Sequence, residues 1–119
     1  MLISAILLIS VDSIYLNLIK TFFEKQIQRV QDSQLKINFL GAALCYVFLI
    51  IGINYFIIIP RKSVSEAFLF GLIIYGVFET TNYALLKNWS IFTVLIDTIW
   101  GGTLFAITTY LVNLLRIIF

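Results

Sequence analysis

Four long apolar runs, separated by short polar breaks, set the pattern of this chain. They cover about residues 2–20, 37–59, 64–86 and 90–115, and close on Lys20, on Pro60-Arg61-Lys62, on Lys87 and on Arg116. A helix crosses the hydrocarbon of a bilayer in about 20 residues, so each run is long enough to span. All eight Lys and Arg residues fall in the breaks or at run ends, where a charged head reaches water. The pattern predicts an all-α polytopic membrane protein: one four-helix bundle over residues 1–119, with the lipid bilayer as its surroundings. The first run does not read as a secretory leader. No basic residue precedes it, no small-residue cleavage site follows, and Asp12 interrupts its middle.

The first break, "KTFFEKQIQRVQDSQLK", is the only long polar stretch. Phe23, Ile27 and Val30 recur at helical spacing, opposite Glu24, Lys25, Gln28 and Gln31. That predicts a short amphipathic segment between helices 1 and 2, lying at the interface or continuing the first span out of the membrane. It serves as a surface connector or, alternatively, as a docking site for a partner. Pro60 stops the second helix. Trp89, beside Lys87, reads as an aromatic belt residue at the membrane surface. Lys20, Lys25, Arg29, Lys36 and Lys87 outnumber Arg61, Lys62 and Arg116 across the bundle, which tilts loop one toward the cytoplasm and both termini outside.

Composition narrows the chemistry. The chain is 61% hydrophobic and 12% charged, with mean hydropathy +1.05, too apolar for a water-soluble domain of 119 residues. The net charge of +2 is spread thinly, so no nucleic-acid surface is expected. There is no histidine, and the single Cys45 allows no intrachain disulfide and reads as a small packing residue. No nucleophile–base pair, phosphate loop or His/Cys ligand set is visible, so neither an enzyme nor a cofactor is expected.

The candidate chemistry lies in three acids inside the runs: Asp12, Glu79 and Asp97. Glu24, Asp32 and Glu66 lie in breaks or at a run end and read as solvated charges. A carboxylate at mid-span costs about 2.5–3.5 kcal/mol, so something must offset it. Asp12 precedes Lys20 by eight residues and Glu79 precedes Lys87 by eight; Asp97 follows Lys87 by ten. At about 1.5 Å per residue all three lie about 12–15 Å below one surface, on three different helices. The expectation is a single layer of carboxylates, with the third span the most enclosed helix at that level.

Tyr15 shares a face with Asp12, Tyr75 and Asn82 with Glu79, and Thr93, Trp100 and Gly101 with Asp97. Tyr15, Tyr75, Asn82 and Trp100 can each donate to a carboxylate. Thr80 and Thr81 can bond to the preceding turn. Ala67 and Gly71, and Gly102 and Ala106, form small-x-x-x-small pairs suited to close helix packing, and Gly101-Gly102 could also loosen the fourth helix. Three explanations stay open. The acids hold helices together as protonated or proton-sharing groups; or they carry protons, or receive a cation or cationic substrate, in transport; or they serve an enzyme acting on a lipid or through a hard metal such as Mg²⁺ or Ca²⁺. The candidate ligand- or cation-binding set is Asp12, Glu79, Asn82 and Asp97, supported by Tyr15, Tyr75 and Trp100, with the identity of any metal open. A bundle this small also makes a homodimer or a membrane-complex partner plausible.

The stretch "GLIIYGVFETTNYALLKNWSIFTVLIDTIWGGTL", residues 71–104, resembles the core of a family of small membrane proteins called domain of unknown function 2177. Gly71, Tyr75, Gly76, Phe78, Glu79, Thr81 and Asn82 carry the first part of the likeness. Thr93, Val94, Asp97, Trp100 and Gly101 carry the second, and Asp12, Tyr15 and Leu16 a third in the first span. Glu79 stands where aspartate is more usual. The resemblance implies four helices and membrane residence, and no particular activity.

Overall fold

The computed structural model describes residues 2–31 and 38–118. Asp32, Lys36 and Ile37, at the end of loop one and the expected start of the second span, lie outside the described residues. The rest is helical: α1 (Leu2–Gln31), α2 (Phe39–Ile53) running into a π-helical turn (Asn54–Ile58), α3 (Val64–Leu85) and α4 (Ile91–Ile118). All four are long and apolar enough to cross a bilayer. The molecule measures 49 × 23 × 22 Å, and its long axis matches a bilayer of about 40–45 Å including headgroups.

The local signals explain the helix ends. Asn38 caps α2 by accepting from the Gly41 amide at 3.0 Å. Ser63 and Glu66 form a reciprocal capping box at the start of α3. After the π-helical turn the Arg61 amide donates to Ile58 and the Lys62 amide to Ile57, at 3.1 and 2.8 Å. This pairing is a Schellman ending, with Arg61 in the left-handed position at φ 58°.

One expectation about the helices is settled and one changes. Of the two placements expected for the amphipathic segment, the structure takes the second: α1 is continuous to Gln31, so the segment continues the first span out past Lys20. Its apolar stripe turns back onto the chain itself, with Phe23 edge-on to Trp89 and Phe22 edge-on to Phe92. The most enclosed helix is α4, with nine buried residues, against three in α3. Positions 77, 78, 80 and 81 of α3 are all exposed, so only its Glu79 side turns inward at that level.

The tightest packing joins α3 to α4, and glycine makes it possible. A methyl group on Gly71 would run into the Gly101 carbonyl, and one on Gly101 into the Tyr75 ring. One on Gly102 would lie 2.8 Å from the Phe68 ring and 2.9 Å from the Phe68 carbonyl oxygen. Gly101-Gly102 therefore does not loosen α4, which stays helical throughout; it lets a backbone and two rings approach. Around this seam Leu8, Ile53, Ala67, Leu104 and Phe105 form the core, all fully buried.

Gly71→Ala and Gly101→Ala should each destabilise the protein by about 1–3 kcal/mol through overpacking. Gly76 is the control, because a methyl group there meets only Thr98 Cγ2 at an ordinary 3.5 Å. Gly76→Ala should leave thermal stability in detergent unchanged or raise it slightly.

Candidate functional site

Each intramembrane acid finds its donors outside its own helix. Asp12, on α1, is 6% exposed; its Oδ1 accepts from the Trp100 indole of α4 at 2.9 Å and its Oδ2 from the Tyr46 hydroxyl of α2 at 2.5 Å. Asp97, on α4, is half-buried, and its Oδ1 accepts from Tyr15 of α1 at 3.1 Å. Tyr15 and Trp100 stack face to face, with centroids 4.3 Å apart and planes within 9°.

The pattern is a crossover. Each helix carries an acid with an aromatic three residues on, and the two helices run in opposite directions. The aromatic of α1 therefore serves the acid of α4, and the aromatic of α4 the acid of α1. The same crossing staggers the acids: Asp97 faces Tyr15 and Asp12 faces Trp100, an offset of about one helical turn, about 5 Å.

Glu79, on α3, lies at the other end of this stagger. It is fully buried, and its Oε1 accepts from the Trp89 indole at 3.0 Å. Its Oε2 is buried with no donor among the described residues. The Asp97 carboxyl neighbours that of Glu79, and Tyr75, one turn along α3, lines the same pocket as Asp97. The expected single layer is thus a ladder: Glu79 under the α3–α4 turn, Asp97 next, Asp12 deepest. Among the described residues no three acid or thiol groups gather closely enough to hold a metal ion.

A pocket of about 340 Å³ opens onto the middle of the ladder. Cys45, Phe48, Leu49, Ile74 and Phe78 wall it, with Tyr75 and Asp97 as its polar groups. Cys45, expected as a small packing residue, is exposed and lines this wall. Asn82 is half-buried, and among the described residues no hydrogen bond ties its side chain to the acids. Thr80 and Thr81 bond back to the Gly76 and Val77 carbonyls, each at 2.6 Å, which satisfies them locally.

Three partners escaped sequence reasoning. Trp89 is no belt residue: it is 6% exposed and supplies the donor to Glu79. Tyr46 lies ten residues after Lys36, so the depth reckoning used for the acids would have placed it about 15 Å down, level with Asp12. Gln26 is fully buried and locks the outer end of α1 onto the α3–α4 turn. Its amide donates to the Asn88 carbonyl at 2.8 Å and accepts from the Ser90 amide and the Thr93 hydroxyl at 3.0 and 2.9 Å. The Asn88 side chain donates in return to the Arg29 carbonyl at 3.2 Å. The visible signal was a glutamine on the apolar stripe beside Phe23 and Ile27.

Four apolar membrane-crossing helices around a buried set of carboxylates define an integral, polytopic membrane protein. The sequence profile of a family described as predicted membrane protein, domain of unknown function 2177, matches residues 1–114, and the chain belongs to that family. No curated protein and no solved structure matches it.

Tyr46→Phe and Trp100→Phe each remove one donor from buried Asp12 while keeping a ring in place. Each should cost about 1–3 kcal/mol, the penalty for an unsatisfied buried group. Gln26→Leu should cost a similar amount by stranding the amide and carbonyl of the α3–α4 turn, an expectation of about 1–3 kcal/mol read as a lower melting temperature in detergent.

Proposed function

We propose that the protein carries small organic cations across the membrane in exchange for protons, with Glu79 and Asp97 as the exchanging pair. The observation that carries this reading is Glu79 Oε2, buried with no donor among the described residues, beside the carboxyl that opens on the pocket. Two carboxyls in contact repel when both are ionised, so a single shared proton is the natural occupant of the empty site. A cation entering the pocket would meet Asp97 at its polar end and supply the charge that lets this proton leave. The walls suit a cation with an apolar body: Phe48, Phe78 and Tyr75 offer ring faces, and the volume lies at the small end of ligand pockets.

Asp12 has a different part in this reading. Both of its oxygens are already filled, by donors from α2 and α4, so it holds three helices together. The accessory or purely structural reading is favoured at this residue alone. Asn82, on the Glu79 face but free of the ladder's hydrogen bonds, is a polar neighbour of the site.

Purified protein in liposomes should accumulate ethidium when a pH gradient is imposed. Glu79→Gln and Asp97→Asn should each reduce that uptake at least about tenfold, the scale of losing one charged contact, while melting close to wild type. Asp12→Asn should instead lower the melting temperature. N-ethylmaleimide, which can react only at Cys45, should block uptake. Wild type that shows no gradient-driven uptake of ethidium, and no stabilisation by it, would sink the proposal.

A further inference from the structure

The opposite end of the bundle, far from the acids, holds a second pocket of about 420 Å³. It forms where the start of α1, the end of the π-helical turn and the last turns of α4 come together. Ile3, Ile58, Val112 and Leu115 make its apolar walls, and Arg61 and Arg116 stand at its edge. The Arg116 guanidinium is fixed in place, because its Nη2 donates to the Ile58 carbonyl at 2.9 Å. That carbonyl also takes the Arg61 amide, so one oxygen ties both arginines to the same point.

Among the described residues neither arginine is paired with a carboxylate. The ion pair found among the described residues is Lys62 with Glu66, 3.8 Å apart, and the same Glu66 accepts from Ser63. The other described acids belong to the ladder or to the outer end of α1. Two full positive charges therefore border an apolar pocket, at the depth where the helices leave the hydrocarbon. Arg61 also holds a left-handed backbone position, at φ 58°, where glycine is the residue of least strain. The chain keeps a guanidinium there against its own backbone preference.

We infer that this pocket seats an anionic phospholipid, its phosphate between Arg61 and Arg116 and one acyl chain along Ile3, Val112 and Leu115. Arginine forks match phosphate oxygens, and a basic pocket between helix ends recruits an anionic headgroup from the surrounding leaflet. A free phosphate ion shares the headgroup chemistry but would leave the apolar walls uncovered. This inference does not depend on transport, and the acids of the ladder take no part in it.

The test uses the full-length protein, stripped of lipid in a neutral detergent. Phosphatidylglycerol should raise its melting temperature saturably, whereas phosphatidylcholine with the same acyl chains and inorganic phosphate should not. Arg61→Gly removes a guanidinium and relieves the backbone strain together. It should melt at or above the wild-type temperature without lipid, yet bind phosphatidylglycerol roughly tenfold more weakly. Arg116→Gln should weaken binding similarly. Native mass spectrometry of the wild-type protein, which needs no variant to fold, should show phosphatidylglycerol retained in preference to phosphatidylcholine. Equal retention of the two lipids, or unchanged affinity in Arg61→Gly, would overturn the inference. Stabilisation by inorganic phosphate equal to that by phosphatidylglycerol would replace the lipid with a free anion.

Discussion

A carboxyl group inside a bilayer must be given hydrogen-bond donors by the protein, because no water or lipid tail will supply them. That constraint organises this bundle. The donors cannot come from the acid's own turn, since the backbone amides there are spent on the helix. They come from aromatic side chains on neighbouring helices, Tyr46 and Trp100 for Asp12 and Tyr15 for Asp97, and from Trp89 of the α3–α4 turn for Glu79. Tyrosine and tryptophan suit the task because each presents a large apolar body to lipid or core and a single polar atom at its edge. A chain with no histidine and no intramembrane lysine or arginine can thus hold its three intramembrane acids by phenol and indole.

The same constraint accounts for what the sequence revealed and what it hid. Span number and helix class follow from one-dimensional quantities: run length and the positions of the basic residues. They were legible. Which face meets which helix is not one-dimensional. Asp12 with Tyr15 and Asp97 with Trp100 each looked like an acid with its own aromatic, and the antiparallel crossing exchanges the partners. That exchange turns a level layer into a staggered ladder. Trp89 misled for a related reason. An indole beside a lysine at a helix end is the common signature of a membrane belt, and only the fold of the α3–α4 turn sends it inward to Glu79.

Gln26 shows the opposite case, where the signal was present in the residues. A polar amide on an otherwise apolar stripe has to be satisfied once the stripe is buried. It closes the outer end of the bundle by holding α1 against the turn that carries Asn88, Trp89 and Ser90. Trp89 is then held twice, by its hydrogen bond to Glu79 below and by Phe23 of the clamped helix alongside. The surface connector and the buried acid are therefore parts of one assembly, although Gln26 and Glu79 lie 53 residues apart in the chain.

The glycines complete this dependence. Tyr75 can line the pocket beside Asp97 only because Gly101 leaves room for its ring, and α3 can lie that close only because Gly71 meets the Gly101 carbonyl without a side chain between them. Close approach of α3 and α4 in turn brings Glu79 within reach of Asp97. The stretch that carries the family likeness, residues 71–104, holds both the small residues and the acids of this pair. Packing and chemistry are thus set by the same few positions. A side chain added at the seam would separate two carboxyl groups without touching either of them.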